Sequence, residues 1–420
     1  MSSAPEVIRA TCCVAGGGPA GMVLGLLLAR AGVEVVVLEK HADFLRDFRG
    51  DTIHPSTLEV VHELGLLDDF RSRPHQEVRQ LVGNVGGVEF PLADFSRLPT
   101  HCKFLALMPQ WDFLDFVSDH AKKYPTFRLV MRAAVADLIE EGGRVVGVRA
   151  DTPGGPLEVR ADLVVGADGR RSTVRERAGL RVRDLGAPMD VLWMRVSRKS
   201  TDTDSPTGRF DRGRIFVMIY RGDYWQCGFV IPKGGNEAVR ARGIEAFRAD
   251  VAGVAPFLAD RVHELRTWDD VKLLTVTVDR LQKWYRPGLL CIGDAAHAMS
   301  PVGGVGINLA IQDAVAAANL LAEKLRTGTA TTADLAKVQR RRTLPTKLTQ
   351  WLQVQVQNRV ISRALASRVP LSPPRVVRLF GRFPFLRRIP ARLIGVGVRP
   401  EHVQTRDAFV THRSGRGTGR

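Results

Sequence analysis

Three clusters in this sequence have the residue types and spacing to hold a phosphorylated ligand. The first is Gly16-Gly17-Gly18-Pro19-Ala20-Gly21, spaced G-x-G-x-x-G. Gly16 permits a tight turn, Gly18 removes the side chain that would keep a pyrophosphate off the backbone, and Gly21 lets a helix pack close to a strand. The helix that Pro19 and Ala20 open adds unpaired N–H groups and a dipole that favour phosphate charge. Glu39, with Lys40 beside it, follows ~20 residues later, where a ribose hydroxyl needs an acceptor. The second cluster, Ala167-Asp168-Gly169-Arg170-Arg171-Ser172, puts an acid and a turn-forming glycine at a strand end. The third runs from Asp294 through His297 to Gly303-Gly304-Val305-Gly306-Ile307-Asn308. It offers a strand-end carboxylate for a sugar hydroxyl and a glycine-rich helix start whose N–H groups suit an electron-rich group. The implied chemistry is dinucleotide binding; the glycine motif alone does not separate FAD from NAD.

These clusters need rigid elements behind them. Residues 8–15 form a short apolar run, 22–30 are rich in the helix formers Leu and Ala, Gly32 stops the helix, and 33–38 read as a buried strand ended by Glu39. That is a strand–turn–helix–strand unit of ~30 residues. Residues 161–166 and 289–293 read as the strands that deliver Asp168 and Asp294, and 310–325 as a helix. Ser56 and Glu59 have capping-box spacing for a helix ended by Gly65. Arg46 to Asp51 forms a charged loop before it. Residues 78–95 alternate like strands of a different sheet, 112–121 read as helix, 128–149 as strand–turn–strand and 157–160 as a further strand. The stretch 188–232 is β-rich, 238–265 helical, and 271–278 alternates.

Composition narrows the class. At 420 residues the chain exceeds one core, since single cores stop growing near ~250–300 residues. An apolar content of 45% is that of a soluble globular protein. Residues 1–10 hold charges and no long apolar run, so no signal peptide is expected. No stretch approaches the ~18 uncharged apolar residues of a membrane span. Cys12, Cys13, Cys102, Cys227 and Cys291 form no C-x-x-C pair, which argues against zinc and for a reducing cytoplasm. Residues 331–420 carry 19 Lys or Arg and 3 Asp or Glu, so +16 of the net +17 sits in that segment. No nucleic-acid motif accompanies the charge, and nucleic-acid binding is not expected.

In this order the three clusters resemble the single-component flavin-dependent monooxygenases, the aromatic-hydroxylase group typified by p-hydroxybenzoate hydroxylase. The resemblance covers most of residues 8–325. It implies an α/β fold, with a Rossmann-type FAD-binding domain interleaved with a β-sheet substrate domain and followed by a basic helical C-terminal segment. The expected divisions are 1–75, 100–182 and 280–330 for the FAD domain, 76–99 and 183–279 for the substrate domain, and 331–420 for the basic segment. Gly16 to Gly21 match the FAD fingerprint with Glu39 as ribose ligand. Asp168 matches an internal Asp-Gly motif linked to FAD and NAD(P)H, and Asp294 an Asp that holds the ribityl chain. Arg49 matches an arginine near the pyrophosphate and the NAD(P)H route, and Gln110 a flavin-contacting glutamine. Gly306, Ile307 and Asn308 match the turn facing the flavin pyrimidine ring, and Val135 aligns with a main-chain contact to adenine. Val305 departs from the Gln or Lys that members often carry there.

The resemblance further implies a mechanism. NADH or NADPH docks transiently and reduces non-covalently held FAD. Reduced flavin takes up O₂ as a C4a-hydroperoxide, and one oxygen atom passes to an aromatic or other hydrophobic substrate by hydroxylation or epoxidation. No catalytic base is assigned; His54, His101, Arg195 and Tyr220 are candidates by type alone. The Trp and Tyr residues of 188–232 suit either a pocket for a flat substrate or sheet core. The rival is a flavin-dependent halogenase, whose Trp-x-Trp-x-Ile-Pro signature is met here only by Trp225 to Pro232, with one Trp and the wrong spacing. For the C-terminal segment two readings stand: residues 335–365 close the substrate domain while the rest wraps the body as a basic tail, or 375–398 lie on an anionic membrane.

Overall fold

A computed structural model of the protein describes residues 5–45, 52–202, 207–369, 371–372 and 382–410. Strand β1 (Glu6–Ala15) leads into helix α1 (Pro19–Arg30) and strand β2 (Val35–Glu39). Pro19 occupies the first helical position, where its missing N–H costs nothing. Residues 20–29 of α1 are all buried, and Gly32, at φ +79°, turns the chain back. β1 pairs in parallel with β2 on one side and with Gly155–Gly166 on the other. Its last residues and all of β2 are therefore covered on both faces, which is why they read as continuous apolar runs. Among the described residues the main sheet runs Tyr285–Arg286, Leu289–Cys291, Gly155–Gly166, β1, β2, Phe127–Met131. The hairpin of Ala134–Glu141 and Arg144–Thr152 extends it. The three strands Leu289–Cys291, Gly155–Gly166 and β1 end in register, at Cys291, Gly166 and Ala15. Their carboxyl ends present all three motifs along one edge, where open α/β sheets bind ligands.

A second sheet runs Lys272–Leu274, Met189–Ser197, Tyr224–Pro232, Arg214–Tyr220, Thr207–Asp211, Gln80–Val85, Val88–Asp94. One of its faces packs Leu192, Met194, Phe216 and Trp225 against Phe247 and Val251 of Gly243–Val254. Its other face packs Val191, Ile215 and Val230 against Ile361 and Ala364. The long helix Gly306–Arg326 lies beside α1, and Thr332–Val356 lies beside Gly306–Arg326 and continues through 357–366.

Several local expectations are overturned. Ser56 is not a cap: it lies inside the helix Pro55–Glu63, and His54, two residues earlier, is at the cap position. Glu59 turns instead to His101, accepting from its backbone N–H at 2.6 Å and facing its Nδ1 at 2.9 Å. Residues 157–160 and 161–166 are one strand, because the ladder to β1 is continuous from Leu157 to Gly166. The expected helix 238–265 is broken at Gly243 (φ +82°) and again at Pro256, leaving Asn236–Ala241, Gly243–Val254 and two short turns. Only Lys272–Leu274 of 271–278 is strand. Val302–Arg326 is long and apolar enough by length and composition to cross a bilayer, but Asp313 interrupts it and it is mostly buried in the protein core.

The C-terminal segment is not simply a solvated basic run. Helix Arg388–Gly395 packs on the hairpin 80–94 side, with Ala391 buried beside Phe95 and Leu98. The chain then crosses the Rossmann face: Val403 N–H donates to Glu63 at 2.7 Å, Gln404 N–H to Asn319 at 2.9 Å, and Ala408 N–H to the Arg30 carbonyl at 2.8 Å. This agrees with a segment wrapped on the body, but its charges at Arg342 and Glu401 are buried rather than solvated.

A Cβ on Gly21 would lie 1.9 Å from the Gly16 carbonyl oxygen. Gly21→Ala is expected to destabilise the apoprotein by about 3 kcal/mol or more through overpacking against backbone, read from urea or thermal unfolding.

Candidate cofactor site

The three glycines of the first motif do different physical work. A Cβ on Gly16 (φ +109°) would meet the Ala167 carbonyl oxygen at 2.4 Å, so this glycine lets the β1 turn lie against the turn carrying Asp168. Gly21 lets α1 lie against the Gly16 carbonyl at the end of β1. A Cβ on Gly18 would meet nothing within 4 Å. Protein packing does not require glycine at 18, and the space above it at the start of α1 is open, as close approach of a phosphate to backbone N–H groups would need. Gly17 N–H donates to Glu39 Oε2 at 2.9 Å and His41 N–H to Glu39 Oε1 at 3.0 Å. These two bonds hold the Glu39 carboxylate against the glycine turn. Lys40 is exposed beside it. Ala133 N–H donates to the Glu39 carbonyl at 2.9 Å, which sets half-buried Val135 beside the end of β2.

The second motif is a fixed turn. Asp168 accepts from Ser172 Oγ at 2.5 Å and from Val174 N–H at 3.1 Å, and Ser172 caps the helix Thr173–Arg177 through Arg175 N–H. Burial raises the Asp168 carboxyl above its usual range, against the lowering effect of those donors. Asp294, in the third motif, is about a third exposed and pairs with Arg170 Nε at 3.1 Å. Arg170 thus joins the second and third motifs, a link the spacing did not disclose. Gly293 (φ +58°) sits where a Cβ would press Ala20 and Ala310 at 3.1 Å each, so Asp294 is held next to the first glycine motif.

Gly306, Ile307 and Asn308 are the first residues of Gly306–Arg326. Their N–H groups are unpaired within the helix and sit at the positive end of its dipole. The Asn308 side chain is a lock: Oδ1 accepts from His54 N–H at 2.9 Å and Thr57 Oγ1 at 2.7 Å, and Nδ2 donates to the Thr52 carbonyl at 3.2 Å. His54 is fully buried. Its Nδ1 faces the Ile394 carbonyl at 2.6 Å, which fixes Nδ1 as the protonated nitrogen because a carbonyl only accepts. Burial pulls the ring down to about 4 despite that bond, so His54 is neutral near pH 7. Gln110 opens the helix Gln110–Ala121 and is half-buried. Arg49 lies outside the described residues.

The other candidate bases do not converge on these loops. His101 is an exposed partner of Glu59. Arg195 stacks over Tyr224 at 4.9 Å, and Tyr220 packs on fully buried Trp225 with Arg198 over its ring. Trp225 and Tyr220 thus belong to the sheet core. Sequence reasoning also missed Asp313, which accepts from Gly293 N–H at 3.1 Å and holds His297 Nε2 at 2.5 Å. Burial raises its carboxyl, but the facing His297 and Arg342 bring it below the usual range. A signal was present: Asp313 is the one charge between Gly303 and Ala322.

The space over Gly18, the aligned helix starts at Pro19 and Gly306, and the carboxylates of Glu39 and Asp294 fit a flavin dinucleotide. Comparison with known proteins agrees. A family model described as an FAD binding domain matches residues 9–351. The chain belongs to the FAD binding domain family. It is 35% identical over 385 residues to 6-methylpretetramide 4-monooxygenase of Streptomyces rimosus, covering 91% of each chain. It is 26% identical over 344 residues to para-nitrophenol 4-monooxygenase of Pseudomonas sp. strain WBC-3, covering 78% of this chain and 82% of that one. A myxobacterial chondrochloren halogenase superposes with a TM-score of 0.73 at 22% identity over 91% of each chain, a likeness of fold alone. The chain is an FAD-dependent monooxygenase, and the resemblance to aromatic hydroxylases is confirmed at the level of family, fold and reaction.

Gly18→Ala is expected to leave the apoprotein's melting temperature unchanged and to weaken FAD binding by about tenfold or more, since only a ligand needs that space. Equilibrium dialysis of FAD against both proteins checks this.

Proposed function

We propose that the enzyme inserts one oxygen atom of O₂ into an aromatic or other flat hydrophobic small molecule, with NADH or NADPH as a transiently docked electron donor. The observation that carries the reading is the convergence of the three motif turns on one sheet edge, together with relatives named for aromatic monooxygenation. FAD, when bound, supplies the redox and oxygen-activating chemistry. The chain's part is to bind, orient and exclude water. In this reading Gly16, Gly18, Pro19, Ala20 and Gly21 take the pyrophosphate, while Glu39 and Lys40 take the adenosine ribose side, with Val135 near the adenine. Arg49, Gln110 and Asp168 line the cofactor, Asp294 takes the ribityl chain in exchange for Arg170, and Gly306 to Asn308 donate N–H groups to the flavin ring. The second sheet, with the hairpin 80–94, forms the substrate side. The halogenase alternative is disfavoured because Trp225–Pro232 lacks the second Trp.

The test is to release the cofactor by heat, identify it, and screen aromatic compounds for faster NAD(P)H oxidation with product mass spectra. The expected outcome is FAD, stimulated oxidation, and a product heavier by one oxygen atom. FMN or no flavin overturns the cofactor assignment, and a chlorinated product in the presence of chloride supports the halogenase.

We infer also a peripheral contact with anionic membrane. Phe385, Ile389 and Leu393 recur every four residues and are 61%, 57% and 40% exposed, beside exposed Arg388 and Arg392, while Ala391 and Gly395 face inward. Apolar side chains entering an interface flanked by arginines is the pattern of a surface-lying helix, with ~1 kcal/mol per basic residue. Full-length protein is expected to pellet with anionic but not neutral vesicles at low salt, and the triple variant Phe385→Ser, Ile389→Ser, Leu393→Ser to stay in the supernatant. Wild-type protein that stays soluble with anionic vesicles overturns the contact.

A further inference from the structure

A chain of buried charges outside the cofactor loops ties the C-terminus to the third motif. Asp313 (0% exposed) takes three donors: Gly293 N–H, His297 and, at 2.8 Å, Arg342 Nε. Arg342, 1% exposed, reaches on to Glu401 at 3.3 Å. Glu401, 4% exposed, also accepts from Arg341 Nε at 2.7 Å and Nη2 at 3.0 Å. Its backbone N–H donates to Gln312, the neighbour of Asp313. The C-terminal segment therefore touches residues 312 and, through Arg342, 313. A second clamp acts nearby, where the Ile394 carbonyl holds His54, whose own N–H is locked to Asn308.

Such an arrangement is a poor source of net stability. The desolvation cost of buried ions cancels much of their attraction, whereas removing one partner leaves the others uncompensated. Its consequence lies in geometry. Gly293 has no slack between Ala20 and Ala310, so its N–H keeps its acceptor only while the Asp313 carboxylate stays aimed at it. Arg342 sets that aim, and Glu401 holds Arg342. Asp294 is the next residue along.

We propose that Arg342 and Glu401 are positioning residues of the cofactor site: through Asp313 they fix the turn that carries Asp294, so that docking of residues 396–408 and binding of FAD form one coupled equilibrium. This rests on the FAD reading of the site. Coupling of this kind is reciprocal, whichever ligand or segment is taken as the effector.

Two measurements test it. FAD dissociation constants are compared for wild type, Glu401→Gln, Glu401→Asp and the control Arg326→Gln, which breaks an exposed pair with Glu323. Glu401→Gln is expected to weaken FAD by about tenfold, within the usual span of coupling, with Glu401→Asp recovering part of the loss and the control unchanged. A purely structural role would lower the apoprotein's melting temperature and leave the affinity of the folded fraction intact. Because Glu401→Gln could fail to fold, hydrogen exchange is also followed in the wild type. FAD should slow exchange of the Val403, Gln404 and Ala408 amides while leaving the Asn236–Ala241 helix unchanged. An affinity within about twofold of wild type in folded Glu401→Gln, or C-terminal exchange indifferent to FAD, overturns the proposal. Wild-type protein that binds no FAD at all overturns the cofactor reading instead.

Discussion

The molecule depends on glycine backbone brought close to its neighbours, to other backbone at Gly16 and Gly21 and to alanine methyl groups at Gly293. Gly16 lies against the Ala167 carbonyl, Gly21 against the Gly16 carbonyl, and Gly293 between Ala20 and Ala310. These three approaches draw β1, Gly155–Gly166 and the 289–294 strand end into one tight edge. The core behind them is correspondingly dense: Cys12 to Ala15, Val164, Val165 and Cys291 have no exposed surface. At interior packing density there is no free volume to absorb even one methyl group. Above Gly18, by contrast, the space remains open.

Polar groups then fix what apolar packing leaves free. Asn308 spends its amide on the backbone of Thr52 and His54, Asp168 caps its own turn, and Asp313 collects Gly293, His297 and Arg342. Each buried polar atom that finds a partner also chooses a geometry, because the alternative is a desolvated group with none. The outcome is that loops distant in sequence are held by side chains: Asn308 at the helix start is bonded to the 52–57 segment, and His54 of that segment to the Ile394 carbonyl of the C-terminal helix.

The second sheet uses its faces differently. One face is filled by Phe216, Trp225, Phe247 and Val251, the other by helical residues of 357–366. Each face is packed over part of its area, and Trp225 is core. The hairpin 80–94 lies at one edge of this sheet, and Arg388–Gly395 rests on its side.

The sequence by itself determined the Rossmann unit, the order of the three motifs and the presence of a second sheet. Those signals are local: glycine spacing, apolar runs bounded by turn residues, and an acid at a strand end. It misread the cap of the 55–63 helix, because Ser56 and Glu59 satisfy a spacing rule while Glu59 has a better partner in His101. It read the C-terminal charge as a solvated run or a membrane-facing one, since a lone arginine or glutamate carries no record of what it will meet. Only the tertiary structure decided that Arg342 reaches Asp313 across 29 residues and Glu401 across 59. The reason is physical: the cost of burying a charge depends on its partners, and partners far apart in sequence are brought together by packing that no local pattern encodes.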